Sequence, residues 1–162
     1  MSETTANLGA TADLGAALGT LLRSYTEMVG PKLDGFPHGA RGYQTLAEVV
    51  EGRPPSQAVL AAKLGIDRTM MTYLIDDLVE AGLVERQPNP HDRRQRQIVA
   101  TARGLEAIAT LCGQVAEAEE AALSTLDQHE RYVFRRLLNK AAGNGPLHTA
   151  EACAIVTEAL EV

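Results

Sequence analysis

The sequence predicts a mainly α-helical chain carrying one small β-hairpin, and three observations support that prediction. Apolar residues recur at spacings of three and four along most of the chain, the mark of helices with one buried face. Two short helical segments follow each other across only Gly65-Ile66-Asp67, a tight turn that makes them a helix-turn-helix candidate. After Gly82 the pattern changes to alternation, in two strand-like runs around a turn-rich loop containing Pro88-Asn89-Pro90.

Taken in order, the first dozen residues have too little apolar periodicity to fold and are expected to fray. A helix is expected from Asp13, with Leu14, Leu18, Leu21, Leu22, Tyr25 and Met28 on one face and a stop at Gly30-Pro31. A second helix is expected near Arg41 to Glu51, with Leu46, Val49 and Val50 inward and Gly52-Arg53-Pro54-Pro55 as its breaker. The helix pair is Ser56 to Leu64 and Arg68 to Ala81, the second ended by Gly82. Strands are expected at Leu83 to Gln87 and Gln97 to Ala100, making a hairpin with a long tip.

Thr101 is placed to cap a long helix with Leu105, Ile108, Leu111, Val115, Ala118 and Ala122 in one stripe. Asp127-Gln128-His129-Glu130 reads as a capping box before Val133, Phe134, Leu137, Leu138 and Ala141, and Gly143-Asn144-Gly145-Pro146 ends that helix. A last helix is expected from Thr149, carrying Ile155, Val156, Ala159 and Leu160. These terminal helices are too few for a second core, so their apolar sides are expected to pair with the same helices of another copy.

Composition narrows the function. A chain of 162 residues is the size of one domain, without room for separate catalytic and regulatory domains. No apolar run reaches membrane-spanning length and Met1 to Ala10 lacks the order of a signal peptide, so a cytoplasmic protein is expected. Cys112 and Cys153 lack zinc-finger or thioredoxin spacing and read as buried, reduced thiols. His38, His91, His129 and His148 show no i, i+4 pairing, so no metal site is expected, nor any cofactor. No phosphate loop, nucleophile elbow or carboxylate pair points to an enzyme.

The net charge of −6 argues against indiscriminate coating of nucleic acid. Its distribution says more. Between residues 86 and 103 five arginines (Arg86, Arg93, Arg94, Arg96 and Arg103) face the single acid Asp92, whereas Gly104 to Val162 holds nine acidic side chains against four basic ones.

A helix-turn-helix places its second helix in the major groove, which needs an apolar inner face and a short, polar or basic outer face. Met71, Leu74, Ile75 and Leu78 supply the first, backed by Leu60, Ala61 and Leu64; Arg68, Thr69, Met70, Thr72 and Tyr73 supply the second. Asp67 is placed to cap that helix. The hydroxyls of Thr69 and Thr72 suit phosphate or base edges, Met70 a thymine methyl, and Arg68 a phosphate or guanine edge. His91, Asp92, Arg93, Arg94 and Arg96 at the hairpin tip form a wing that would lay guanidinium groups along the backbone or in the minor groove, with Asp92 holding the Arg94 side chain.

Leu60 to Thr69, Leu78 to Arg86 and Asp92-Arg93-Arg94 with Thr101 together resemble the MarR family. The resemblance is strong over Tyr43 to Leu111 and implies a two-fold dimer of winged helix-turn-helix subunits that binds a pseudo-palindromic operator and represses transcription. Residues 41–103 would be the DNA-binding lobe of a single domain over 1–162, and 13–38 with 104–162 the dimerisation helices. The family's wing motif maps onto Asp92 and Arg94. Its polar-then-basic pair falls on Thr72 and Tyr73, where tyrosine departs from the pattern. Many relatives release DNA when a small aromatic or phenolic anion fills a cleft between dimer helices and lobe, here expected to involve Tyr25, His38, Arg41, Tyr43 and Cys112. The alternative is a winged-helix protein-interaction module without DNA binding, favoured if the wing arginines are tied up in internal ion pairs.

Overall fold

The computed structural model describes residues 13–51 and 53–143. Six helices and one hairpin follow in the order α1 (Leu14–Leu33), α2 (Gly39–Val50), α3 (Gln57–Leu64), α4 (Arg68–Glu80), β1 (Val84–Asn89), β2 (Asp92–Ala100), α5 (Ala102–Ala122) and α6 (Gln128–Ala141). The expectations for the first dozen residues and for a helix from Thr149 lie outside the described residues.

Five of the six helix starts have a side-chain cap, α2 after His38 being the one without. Side-chain oxygens of Asp13, Ser56, Asp67, Thr101 and Asp127 accept backbone N–H groups of α1, α3, α4, α5 and α6 that have no partner within the helix. At α6 the box is complete: Asp127 Oδ1 accepts from Glu130 N at 2.9 Å and Glu130 Oε2 accepts from Asp127 N at 2.9 Å. Gly65, with φ of +62°, closes α3 in the left-handed region and lets the chain turn into α4 within three residues.

The first helix does not stop at Gly30-Pro31. Pro31 removes one hydrogen bond close to the helix end, where the loss is small. Val29 and Leu33, one turn apart and each 1% exposed, carry the last turn into the core. Burial outweighs the local breaker there.

One core joins Val29 and Leu33 to Leu46 and Val49 of α2, Leu60 of α3, Met71, Leu74, Ile75 and Leu78 of α4, Val84 and Ile98 of the hairpin, and Ile108, Cys112 and Val115 of α5. All four inward residues expected on α4 are buried. α1 packs against α5, and α3 against α4.

The hairpin differs from expectation in one respect. β1 and β2 extend almost to each other, so the tip is short and the arginines lie on β2 rather than in a long loop. Regular pairing runs from Val84 opposite Ala100 to Pro88 opposite Arg96, then jumps to Asn89 opposite Asp92, which leaves Arg93, Arg94 and Gln95 without cross-strand partners. Such an irregularity re-aims side chains away from the regular pleat. The base of the hairpin is pinned from two sides: Ile98 N donates to Pro55 O at 2.8 Å, and Thr101 N donates to Leu83 O at 3.1 Å. At the start of α5, a Cβ on Gly104 would lie 2.0 Å from Leu83 O, so only glycine allows α5 to meet the wing base this closely.

Candidate nucleic-acid interface

α4 presents the two faces that groove binding requires. Its inner residues are fully buried, while Arg68, Thr69, Met70, Thr72 and Tyr73 are all exposed, Met70 at 42% and Tyr73 at 61%. Asp67 Oδ1 accepts from Thr69 N at 2.8 Å and Met70 N at 3.3 Å. Those backbone bonds, Met70's foremost, hold the Asp67 carboxyl below its ordinary value, so the cap is ionised near neutrality.

Thr72 is less free than its exposure suggests. Its hydroxyl donates to Arg68 O at 3.0 Å and accepts from Gln57 Nε2 at 2.6 Å. Gln57 was not legible as a functional residue, because only the crossing of α3 over α4 brings it to Thr72.

In the wing, Asp92 Oδ1 accepts from the main-chain N of Arg94 at 3.0 Å, so the carboxylate shapes the backbone of the irregular stretch. This corrects the expectation that Asp92 would hold the Arg94 guanidinium. Arg86 is withdrawn from the basic cluster: it donates to Asp76 of α4 at 2.6 Å and ties β1 to that helix. Among the described residues, none of the ion pairs involves Arg68, Arg93, Arg94 or Arg96, and all four are exposed. Thr101 joins wing and α5, donating from Oγ1 to Gly82 O at 2.6 Å and accepting from Gly104 N at 3.0 Å.

The five residues expected around an effector fall into three places. Tyr43 and Cys112 meet in the core, with the Tyr43 hydroxyl 3.5 Å from Cys112 Sγ. Tyr25 lies nearby, lining an apolar concavity of about 200 Å³ with Leu21, Phe134 and Leu138, where Glu119 is ion-paired to Arg135. Burial first, then the Glu119 charge, pushes the Tyr43 phenol up to about 12 and raises that of Tyr25 as well. Both phenols therefore stay neutral donors near neutrality.

His38 faces α4 instead, its Nε2 2.6 Å from Asp77 Oδ2, on a left-handed residue with φ of 59°. Arg41 opens with Gln44, Asp67 and Met70 onto a separate cavity of about 350 Å³. Cys112 is buried and disulfide-bonded, which corrects its reading as a reduced thiol. Among the described residues there is no His, Cys, Asp and Glu cluster able to hold a metal ion, and no helix is long and apolar enough to cross a membrane.

Comparison with known proteins agrees with this geometry. The MarR family model matches residues 42–95, from α2 into the first half of β2. A protein of Thauera aromatica, named for transcriptional regulation of the hcr operon, is 28% identical over 100 residues, 61% of this chain and 60% of that protein. The match thus spans about three fifths of the curated relative's length. MarR of E. coli in its apo form superposes with a TM-score of 0.69 at 22% identity, covering 80% of this chain and 96% of that one. BpsR of Bordetella bronchiseptica superposes with a TM-score of 0.72 at 16% identity, covering 84% and 97%. At these identities the structural likenesses establish the fold, and the family match falls on the segment that builds the helix pair and wing. Residues 42–95 of the chain are thus similar to the MarR family, and the fold around them is that of MarR-family structures.

Proposed function

We propose that this chain is a homodimeric, sequence-specific reader of double-stranded DNA that regulates transcription, a repressor released by a small ligand. One observation carries the reading: the outer face of α4 and the cationic side chains Arg93, Arg94 and Arg96 are exposed together, and among the described residues none of these arginines is spent on an ion pair. A protein-interaction module would be favoured by sequestered wing arginines, and among the described residues Arg86 is the one arginine of the cluster with an ion-pair partner. Arg68, Thr69, Met70, Thr72 and Tyr73 face the major groove in this reading, and the wing arginines reach the backbone or minor groove.

Residues 41–103 act as the reading lobe, and 13–38 with 104–162 as the dimerisation region of one domain. Support for the dimer comes from the apolar side chains that α1 and α6 leave open, among them Leu14, Leu18, Leu22, Leu137 and Leu138. A dimer grips two half-sites only if its reading helices lie about one DNA turn, ~34 Å, apart. A ligand that prefers another spacing lowers DNA affinity by linkage. DNA binding by BpsR, a structural neighbour, is regulated by 6-hydroxynicotinic acid, a small hydroxylated aromatic acid. In this chain Tyr25, Tyr43 and Cys112, between α1, α2 and α5, are the side chains on which such a ligand would act, with His38, bonded to Asp77 of α4, and Arg41 at the junction with the reading lobe. The place of action is the cytoplasm, where operator DNA lies.

Selection from a random duplex pool, followed by fluorescence anisotropy across a salt series, tests this. A palindromic winner is expected, and Arg94→Ala should weaken binding to every duplex and lower the salt slope by about 1. An unchanged slope would remove the wing from the mechanism.

A further inference from the structure

We propose that Thr72 reads DNA with its methyl group, making one thymine in each half-site a specificity position, and that Gln57 is the positioning residue that imposes this. The proposal rests on α4 being the reading helix and says what its central residue recognises.

A threonine hydroxyl has one proton and two lone pairs. At Thr72 the proton goes to Arg68 O at 3.0 Å, and one lone pair takes the Gln57 amide at 2.6 Å. Threonine in a helix divides between two rotamers because its oxygen can bond the preceding turn, and the Gln57 bond from α3 selects among them. Donating to a phosphate or base acceptor would require breaking the bond to Arg68 O. An exposed Thr72 therefore offers DNA its methyl group and a single remaining lone pair.

The neighbouring side chains agree. Met70 and Tyr73, both largely exposed on the same outer face, present a thioether chain and an aromatic ring. The centre of the α4 outer face thus offers apolar surface at Met70 and the Tyr73 ring beside the Thr72 methyl, with hydrogen-bonding groups at Arg68 and Thr69 at its N-terminal end and at the tip of Tyr73. In the major groove the apolar feature of a base edge is the thymine C5-methyl, and recognition of it needs no donor.

The test replaces each thymine of the selected operator by deoxyuridine, symmetrically in both half-sites, which removes only the methyl. Full-length wild type, Thr72→Ser, Thr72→Val and Gln57→Ala are compared by anisotropy, with helix content and thermal midpoint recorded for each. At one thymine the wild type should lose about fourfold per half-site, the worth of one buried methyl group. Thr72→Val should keep that loss, whereas Thr72→Ser should bind the two duplexes alike. Gln57→Ala should also lose the discrimination while keeping its fold; if it retains the full ratio, Gln57 has no positioning role.

The methyl assignment is overturned if no thymine shows the effect, if Thr72→Ser still discriminates, or if Thr72→Val loses binding that Thr72→Ser retains, since then the hydroxyl makes the contact. Those results, obtained on an enriched duplex with an Arg94-dependent salt slope, leave the DNA reader standing. Absence of any enriched duplex removes reader and methyl contact together.

Discussion

The lobe from α2 to the wing and the outer helices α1 and α6 solve opposite problems with similar composition. In the lobe every large apolar residue on the inner face of α4 is fully buried, and what remains outside on α4 is short, polar or charged except for Met70 and Tyr73. On α1, by contrast, Leu14 is 71% exposed and Leu22 64%, and α6 has no fully buried residue. Both regions carry helical stripes of apolar side chains, yet only one stripe finds its partner within the chain. The lobe is a closed core with a reading surface; the outer helices are half of a core, whose other half a second copy supplies in the proposed dimer. Exposed apolar side chains therefore carry different meanings in the two regions: Met70 and Tyr73 make a small patch bounded by polar residues, whereas Leu14, Leu18 and Leu22 form a continuous stripe.

Four substitutions sharpen or break this contrast. Leu74→Ala, in the middle of the closed core, should cost about 2 to 5 kcal/mol in denaturant unfolding. A cost below about 1 kcal/mol would mean that the lobe core is looser than the burial of Leu74 implies. Thr101→Ala removes the α5 cap and the bond to Gly82 O together and should cost roughly 1 to 2 kcal/mol. Its wing should also lose amide protection at Thr101 and Ile98 in hydrogen exchange; unaltered protection would show that Gly104 packing alone seats the wing.

Leu22→Glu should leave the lobe's unfolding within about 0.5 kcal/mol of wild type when measured on the monomer. In sedimentation the same variant should shift the dimer toward single chains, and an unshifted dimer would place the interface elsewhere.

The smallest effect concerns the α4 cap. Backbone bonds lower the folded pKa of Asp67, so its contribution is fully present above the ordinary carboxylate value of 3.8 and is lost as the pH falls through the lowered one. Asp67→Asn keeps a capping oxygen but does not titrate. It should flatten the acid limb of the unfolding profile slightly, and an identical limb in both proteins would assign that limb to other carboxylates such as Glu120, whose pKa is lowered by its bond to Arg131.

The helix pair, its inward residues and the caps at Asp67, Thr101 and Asp127 were legible because each depends on neighbours within a few positions: a 3.6-residue period, an oxygen at the N-cap, a glycine that can take a positive φ. Local chemistry alone decides them. The helix through Pro31 was not legible, since burial of Val29 and Leu33 outweighs a breaker that weighs more when read locally. Nor was the role of Asp92, because whether a carboxylate reaches its neighbour's side chain or main chain depends on the strand irregularity around Arg93 and Arg94. Arg86 counted as part of a basic cluster until α4 placed Asp76 beside it, and the state of Cys112 likewise depends on what the fold brings near its sulfur. By itself the sequence determined the order of elements, the inner and outer faces of α4 and the basic character of the wing. Tertiary structure alone decided which of those polar groups remain free to meet DNA, because a hydrogen bond or ion pair between Gln57 and Thr72, or Arg86 and Asp76, exists only where packing of separate elements brings the two ends together.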